Sequence, residues 1–200
     1  SKMLLYPAEL VRTIGRGGEL GIDAEVKRVD FLRVMQRMRA SIDAEINEIR
    51  EGLSNSENLD YYPAAAEFIA PYTLRVSNET VKSKMIILCT GSKTIIPPIK
   101  GIEKVGYLTS DTLLRLTRLP ESIAIIGGGF IAAEYGHFFS AMESKVTIIG
   151  RNPQFLPEEE QEVSALAKRE LQKYMEVITN HEVSEVLKTS AGKKKLIAVD

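Results

Sequence analysis

The stretch Ser122-Ile-Ala-Ile-Ile-Gly-Gly-Gly-Phe-Ile-Ala-Ala-Glu134 decides the fold of this chain. A short apolar run stops at three glycines, and a pattern of small and apolar residues resumes directly after them. Residues 123–126 predict a buried parallel strand, and residues 132–139 predict a helix that follows the glycine turn. The stretch therefore predicts the strand, turn and helix with which a parallel α/β unit begins.

The glycines of this turn follow the pattern Gly127-x-Gly129-x-x-Ala132, which is the dinucleotide-binding fingerprint with alanine as its third small residue. The first glycine permits a tight turn, the second lets a pyrophosphate approach the main chain, and the third small residue lets the helix pack closely on the strand. The free N–H groups at the start of the helix then point at the phosphates. The predicted nucleotide-binding residues are Gly127, Gly128, Gly129, Phe130, Ile131 and Ala132.

The composition excludes several classes of protein. The chain has 200 residues, of which 44% are apolar, and a net charge of −1, so it can bury a core and offers nucleic acid no basic surface. Its single cysteine, Cys89, excludes an internal disulfide, and two histidines are too few for a metal cluster. We expect Cys89 to be a small buried residue at the end of a strand. Spacing identifies no acidic partner for His137 or His181.

The ends and the apolar runs of the chain bear on its location. No apolar run reaches the roughly 20 residues that a membrane span requires, so we expect no membrane span and a cytoplasmic location. No charged and then apolar leader opens the chain. It starts at Ser1 without a methionine and stops at Asp200 within a strand-like run, which predicts a fragment of a longer protein.

The first half of the chain predicts two helices and then short strands. Residues 2–14 predict a helix, and Asp30 is the expected N-cap of an amphipathic helix of about six turns that ends near Leu53. A helix of this length either packs on its own domain or meets its copy in a dimer, and the first alternative is favoured. The strand-like runs that follow predict an antiparallel meander that returns into a buried strand, over residues 59–62, 66–69, 73–76 and 85–89.

The second half predicts one mononucleotide-binding half of a doubly wound sheet. Proline and glycine over residues 95–106 mark a connection between two domains, and Ser110 or Asp111 is expected to cap a short helix through Leu116. After the fingerprint helix, the predicted order is a strand, a helix, a strand and a hairpin, over residues 145–149, 158–174, 175–178, 183–187 and 196–199.

Four landmarks follow one another along the chain: Ser1-Lys2, Ala66-Glu-Phe68, Cys89-Thr-Gly-Ser92, and Thr109-Ser-Asp111 ahead of Leu119-Pro120 and the glycines. In this order the chain resembles the class I pyridine nucleotide-disulfide oxidoreductases, the flavin-dependent family of dihydrolipoamide dehydrogenase, glutathione reductase and mercuric reductase. The resemblance covers essentially the whole chain.

The resemblance implies an α/β, Rossmann-like FAD/NAD(P)-binding fold made of two partial domains. Residues 1–95 would be the second part of the FAD-binding domain, residues 96–120 the interdomain connector, and residues 121–200 the N-terminal part of the NAD(P)-binding domain. It further implies a redox-active Cys-x4-Cys pair just before Ser1, FAD and NAD(P) as cofactors, a small-molecule or protein-bound disulfide as substrate, and a homodimer formed largely by parts that this chain lacks. The chain alone is then expected to be inactive with disulfides.

The resemblance also assigns site residues. Lys2 would pair with Glu134 beside the flavin and the nicotinamide, and these two are the candidate catalytic residues. Phe130 would be an aromatic gate over the flavin. The FAD contacts would be Thr90, Gly91 and Ser92 on the flavin side, and the main chain of Ala66 near the adenine. From the residues alone, Glu134 is equally well a solvent-facing helix residue and Phe130 a core aromatic.

The preference for NAD or NADP depends on the end of the next strand, where an acidic residue would bind the ribose hydroxyl of NAD. About twenty residues after the glycines, the sequence has Ile149-Gly150-Arg151 and no acid. Gly150 leaves room and Arg151 supplies a cation, which favours the 2′-phosphate of NADP. No second base follows over residues 152–157, and the alternative for Arg151 is an exposed loop cation.

The sequence thus predicts part of an FAD-dependent NAD(P)H:disulfide oxidoreductase similar to dihydrolipoamide dehydrogenase. This part would bind FAD and a pyridine nucleotide and align them for hydride transfer. Two alternatives stay open. One is an isolated NAD(P)-binding module without catalysis, and the other is a scaffold in which the long helix mediates assembly.

Overall fold

The computed structural model describes residues 2–200, so Ser1 of the first landmark lies outside the described residues. The α-helices are α1 (Lys2–Gly15), α2 (Phe31–Ser54), α3 (Ile102–Val105), α4 (Phe130–Ala141) and α5 (Gln161–Leu171), and 3-10 helices lie at Gly17–Leu20 and Thr112–Arg115. The strands are β1 (Ala66–Ala70), β2 (Thr73–Val76), β3 (Glu79–Lys82), β4 (Ser122–Ile126), β5 (Lys145–Ile149), β6 (Glu176–Ile178), β7 (Glu182–Lys188) and β8 (Lys194–Val199). None of the helices within residues 2–200 is both long enough and apolar enough to span a membrane.

The chain divides into two compact units. One unit comprises the chain up to Arg39 together with everything from Ile96 onward, and the other comprises residues 40–95. Arg39 is held within the first unit, because its Nη1 donates to Leu114 O at 3.0 Å and to Leu116 O at 3.3 Å. The domain boundaries expected from the sequence, at residues 95 and 120, stay a prediction.

The unit of residues 40–95 contains an antiparallel meander in the order β1-β2-β3. The first two predicted strands of the meander are confirmed as β1 and β2, and β3 is a strand that the sequence analysis missed. Thr73 and Val76 are the buried residues of β2. On the exposed side, an ion pair of 2.5 Å between Arg75 and Glu67 joins β2 to β1.

Two strand predictions in this unit are wrong, those for residues 59–62 and 85–89. Residues 85–89 pair with no strand in the described chain, and their apolar side chains are exposed, that of Ile87 by 78%. An apolar run becomes a buried strand only where a neighbouring strand satisfies its N–H and C=O groups. Cys89 lies at the end of this run and is exposed, so the expectation that it is buried is also wrong.

Helix α2 begins where the sequence predicts, at the N-cap residue Asp30. The main-chain N–H of Arg33 donates to Asp30 Oδ1 at 3.0 Å, which satisfies one of the free donors of the first helical turn. Phe31 is buried, and its ring centroid lies 6.1 Å from that of Phe138 and 6.4 Å from that of Phe139, both in α4. The start of α2 therefore packs on the fingerprint helix.

The fingerprint opens a parallel three-stranded sheet in the order β4-β5-β6. Helix α4 packs on β4 and β5, and α5 packs on β6, so the predicted β-α-β-α-β unit is confirmed. The central strand β5 is buried at Val146, Ile148 and Ile149. The expectation that β4 is buried is wrong, because β4 is the edge of this sheet and pairs only with β5 among residues 2–200.

Strands β7 and β8 form the predicted hairpin, and the chain between the two units is attached to it. Lys100 N donates to Ser184 O at 3.1 Å, and Val186 N donates to Lys100 O at 2.8 Å. At Gly101, φ is 83° and a Cβ would lie 2.3 Å from Val186 O, so only glycine permits this approach. Ile99 is buried in the same small core as Val186.

Two helix ends differ from the predictions. The short helix before the fingerprint is a 3-10 helix at Thr112–Arg115, and Asp111 occupies its N-cap position without a side-chain bond. Thr109 is bonded instead: Thr112 N donates to Thr109 Oγ1 at 3.2 Å, and Thr109 N donates to Thr112 Oγ1 at 2.7 Å. This exchange resembles a capping box. Helix α5 is shorter than predicted at both ends.

Candidate functional site

The first glycine of the fingerprint makes the tight turn that the sequence predicts. Gly127 directly follows β4, and its φ of 122° lies in a region that residues with a Cβ rarely adopt. Its N–H donates to Ile149 O at 2.8 Å, which ties the turn to the end of β5. A residue with a side chain at position 127 would therefore strain the turn.

The second glycine, Gly128, packs against Gly150 at the end of β5. A Cβ on Gly150 would lie 3.2 Å from Gly128 Cα and 3.4 Å from Gly128 N. Leu156 N donates to Gly128 O at 2.7 Å, and the side chain of Phe155 is buried against the same turn. The missing side chain of Gly150 therefore makes room for the glycine turn rather than for a 2′-phosphate, which corrects the reason given for this residue.

The third glycine, Gly129, is the N-cap of α4 and faces open space. Its φ of −90° and ψ of −177° are extended, no side chain caps the helix, and a Cβ on Gly129 would meet no atom within 4 Å. The helix starts with a bond from Ala133 N to Gly129 O at 3.1 Å. Within residues 2–200, the N–H groups of residues 130–132 have no partner, so they can bind an anion at the positive end of the helix dipole.

Helix α4 approaches the sheet closely at a residue that the sequence analysis missed. Ala132 is buried, as the fingerprint predicts. One turn later, a Cβ on Gly136 would lie 2.9 Å from both Ile148 Cδ1 and Met175 Sδ. The signal for this contact is a glycine inside a predicted helix, where it lowers helix stability unless close packing requires it.

Two apolar side chains in the first turn of α4 are exposed beside the open glycine. The exposed fraction is 65% for Phe130 and 44% for Ile131. The alternative that Phe130 is a core aromatic is therefore wrong. Ile126, at the end of β4, is also exposed, so apolar side chains flank the anion-binding turn on both sides in the sequence.

Helix α1 lies alongside α4 and runs parallel to it. Arg12 Nη2 donates to Ser140 Oγ at 2.8 Å, and His137 Nε2 lies 3.8 Å from Glu9 Oε2. Both contacts join residues 128 positions apart, and this equal separation requires that the two helices run in the same direction. His137 thus has an acidic neighbour, which sequence spacing could not identify because it lies on a distant helix.

This register brings the amino-terminal ends of both helices together, and with them Lys2 and Glu134. The same separation places Lys2 beside Phe130, and Glu134 is one turn further, about 6 Å along the helix axis. Lys2 is exposed and Glu134 is half-buried. Both residues belong to the described part of the chain, and no ion pair joins their side chains there. Their pairing stays a prediction.

Tyr135, next to Glu134, links α4 to the segment before the fingerprint strand. Its hydroxyl donates to Ser110 O at 3.3 Å. Burial raises the pKa of Tyr135, and the charges of Glu134 and Asp111 raise this pKa further. Tyr135 is therefore protonated at neutral pH, as its donated hydrogen bond requires.

Arg12 forms a second group of contacts that the sequence did not indicate. Its guanidinium carbon lies 3.7 Å from the centroid of the Tyr174 ring, which is a cation–π contact. Burial lowers the pKa of Arg12, while Tyr174 and Glu9 oppose this shift. Burial also lowers the pKa of His137, the charge of Arg12 lowers it further, and Glu9 opposes this. At neutral pH His137 is uncharged, so its contact with Glu9 is not an ion pair.

Arg151, the candidate cation for a 2′-phosphate, directly follows Gly150 and is exposed. No ion pair or hydrogen bond holds its side chain within residues 2–200. The main chain beside it is fixed, because His181 N donates to Gly150 O at 3.1 Å and Asn180 N donates to Asn152 O at 2.9 Å. Arg151 therefore lies at the carboxyl edge of the parallel sheet, where nucleotides bind in folds of this type.

Comparison with known proteins identifies the family. The profile of the family described as pyridine nucleotide-disulphide oxidoreductase matches residues 11–200. The chain belongs to this family. Mycothione reductase of Mycobacterium tuberculosis is 36% identical over 157 residues, which are 76% of this chain and 34% of that protein. Dihydrolipoyl dehydrogenase of Geobacillus stearothermophilus is 32% identical over 186 residues, which are 90% of this chain and 39% of that protein.

A solved structure from the pyridine nucleotide-disulphide oxidoreductase comparisons is also similar. The Cu(II) complex of the flavoprotein disulfide reductase RclA from Escherichia coli matches with a TM-score of 0.81 at 27% identity, over 98% of this chain and 42% of that chain. The expected α/β, Rossmann-like fold is therefore confirmed. The chain spans between 34% and 39% of the length of the two curated relatives.

Membership of the pyridine nucleotide-disulphide oxidoreductase family also implies FAD, and the residues assigned to FAD lie in the unit of residues 40–95. Ala66 is the exposed first residue of β1, and residues 90–92 lie in an exposed segment without regular structure. Gly91 has a φ of 71°, and the main-chain groups of residues 90–92 have no hydrogen-bond partner in the described chain. Free main-chain groups fit a cofactor that is rich in hydrogen-bonding atoms. The contacts of Thr90, Gly91, Ser92 and Ala66 with FAD stay predicted.

Proposed function

We propose that this chain is the part of an FAD-dependent NAD(P)H:disulfide oxidoreductase that binds the pyridine nucleotide and aligns it with the flavin for hydride transfer. The observation that carries the proposal is the open space at Gly129 at the start of α4, in a chain of the pyridine nucleotide-disulphide oxidoreductase family. The unpaired N–H groups of residues 130–132 suit a pyrophosphate. The exposed Phe130 and Ile131 suit an apolar ring face.

The residues of this chain would provide alignment, while the bound nicotinamide supplies the hydride and the bound flavin accepts it. Lys2 and Glu134 would place opposite charges at the amino-terminal ends of α1 and α4, close to the turn that binds the nucleotide. The Lys2 side chain is long enough to cover the one turn that separates it from Glu134. Phe130 would shield the flavin until the nicotinamide binds, which its exposure permits.

The remaining parts of the proposal follow from the family alone. FAD would contact the free main chain of residues 90–92 and that of Ala66. The substrate would be a disulfide, either small or protein-bound, and dihydrolipoamide chemistry is one form of this proposal because a dihydrolipoyl dehydrogenase is among the relatives. We further propose a cytoplasmic homodimer.

The test of the nucleotide site is Gly129→Val in the full-length protein. The valine side chain would occupy the open space and exclude the pyrophosphate, so we expect the Kd for NADPH and NADH to rise at least about tenfold, measured by calorimetry. The control is Gly52→Ala in α2, which also adds carbon where no atom lies within 4 Å. Undiminished binding by Gly129→Val would show that the fingerprint does not hold the nucleotide.

NADP is the favoured nucleotide, and the unpaired, exposed Arg151 supports this choice. Charge reversal by Arg151→Glu should raise the Kd for NADPH more than the Kd for NADH, because only NADPH carries the 2′-phosphate. Arg169→Glu, at an exposed arginine of α5, is the matched control and should change neither Kd. Equal effects of Arg151→Glu on the two nucleotides would remove the NADP assignment.

A nucleotide-binding module without catalysis is the second candidate function. It is favoured by the fingerprint turn, whose contacts at Ile149, Gly150 and Leu156 all lie within one unit. The discriminating measurement is flavin content: a purified full-length protein that binds NADPH and holds no flavin would establish this candidate. In a flavoprotein, Glu134→Gln should slow flavin reduction by NADPH in stopped-flow measurements, and an unchanged rate would remove the Lys2–Glu134 pair from the proposal.

A further inference from the structure

Arg12 joins three parts of the unit that carries the fingerprint. From α1 it donates to Ser140 Oγ in α4 at 2.8 Å, and its guanidinium carbon lies 3.7 Å from the ring centroid of Tyr174, which follows α5. A guanidinium is planar and its donors have fixed directions, so it accepts few arrangements of its partners. The position of α1 along α4 is therefore defined at Arg12.

The presence of Arg12 at this place is not explained by stability. Its Nε is buried and has no hydrogen-bond partner within residues 2–200, and burying a charged group with an unsatisfied donor is unfavourable. Its neighbours have other partners, because Ser140 Oγ donates to His137 O at 3.1 Å and Glu9 pairs with Arg16 at 3.3 Å. An apolar side chain at position 12 would leave none of these groups buried and unpaired.

Arg12 instead provides geometric specificity. Its contact with Ser140 and the contact of Glu9 with His137 have the same sequence separation, so they hold the carboxyl-terminal half of α1 in one register on α4. A helix is stiff over this length, so the register at Arg12 also determines where Lys2 lies at the other end of α1.

We propose that Arg12 is a positioning residue, which fixes the register of α1 on α4 and thereby holds Lys2 one turn from Glu134 beside the nucleotide-binding turn. This inference rests on the proposed function, because Lys2 and Glu134 matter here only if the turn binds a nucleotide. Arg12 touches neither the nucleotide-binding residues nor the two charged residues, so it acts through the helix pair.

The experiment uses Arg12→Leu, Arg12→Lys and the control Arg16→Leu in the full-length flavoprotein. Arg16 is exposed and lies one turn beyond Arg12. For each variant the measurements are the Tm, the Kd for NADPH, the rate of flavin reduction at saturating NADPH, and hydrogen exchange of the α1 amides in the absence of nucleotide. The last measurement reports the helix pair without any turnover.

For Arg12→Leu we expect an unchanged Tm and an unchanged Kd for NADPH, together with faster exchange in α1. The rate of flavin reduction should fall by about 10- to 100-fold, because a displacement of about 1 Å has this effect on aligned groups. Arg12→Lys keeps a donor for Ser140 Oγ and should recover part of the rate. Arg16→Leu should behave as the unmodified protein.

Two results would overturn the proposal. One is a rate of flavin reduction in Arg12→Leu equal to that of the unmodified protein. The other is a loss of rate that comes with equal losses in Tm and in NADPH affinity, and that Arg12→Lys does not relieve, since Arg12 would then be a general structural residue. Failure of the proposed function is distinguishable, because it appears as a lack of NADPH binding in the unmodified protein.

Discussion

Two apolar runs of this chain end in glycine turns and fold differently. The run before Gly127 forms β4, whereas the run before Gly91 forms no strand. The difference lies in the neighbour, because β4 pairs with β5 along its length and residues 85–89 pair with no strand in the described chain. The glycines differ in the same way: Gly127 N donates to Ile149 O, and Gly91 has no main-chain partner among residues 2–200. An apolar run specifies a strand only together with the strand beside it.

The largest expected effect comes from truncating one isoleucine in each region. Ile148 in β5 is fully buried, and Ile87 is 78% exposed. In the 200-residue chain, Ile148→Ala should lower the free energy of unfolding by about 2–5 kcal/mol, because it leaves a cavity. Ile87→Ala should change it by less than about 0.5 kcal/mol. Denaturant unfolding measures both, and similar losses would mean that residues 85–89 are packed after all.

A methyl group added to two helical glycines sharpens the comparison. Gly136→Ala should lower the free energy of unfolding by about 1–3 kcal/mol, because its Cβ would crowd Ile148 and Met175. Gly52→Ala, in α2, meets nothing within 4 Å and should raise the free energy of unfolding by about 0.4–1 kcal/mol through the unfolded state. A neutral Gly136→Ala would contradict the close approach of α4 to the sheet.

The smallest expected effect is a pH dependence of stability that belongs to the packed region alone. The pKa of His137 is lowered in the folded chain, so the unfolded chain takes up this proton first as the pH falls. Stability should therefore decrease as the pH drops below about 6.5, the unperturbed value. His137→Gln should reduce this slope in unfolding measurements between about pH 5 and 8. Cys89→Ser, in the exposed run, is the control, and an unchanged slope in His137→Gln would show that α1 does not bury the ring.

The features that the sequence predicted are those determined by a few neighbouring residues. The N-cap at Asp30 requires only the turn that follows it, and the Gly127-x-Gly129 turn requires only the strand before it and the helix after it. The order of strands and helices after the fingerprint follows from the same local patterns. This part of the fold and the nucleotide-binding turn were therefore accessible before any coordinates.

The features that the sequence missed join residues that are far apart in the chain. Gly150 is explained by the main chain of Gly128, and the neighbours of Arg12 are in two other helical segments. No spacing rule connects such positions, because their proximity is a property of the packed sheet and helices. The error at residues 85–89 has the same origin, since a local pattern cannot show whether a partner strand is present.

The two attachment points of the 40–95 unit give it the character of an insertion. The chain departs at Arg39, which is bonded to the main chain of Leu114 and Leu116, and it returns near Ile99, which is buried with the hairpin. Both points belong to a body that is held together by its own contacts. A protease cut in the irregular residues 55–65 would thus break the polypeptide but not the molecule, and the two pieces should migrate as one species on a native gel and separate only when denatured.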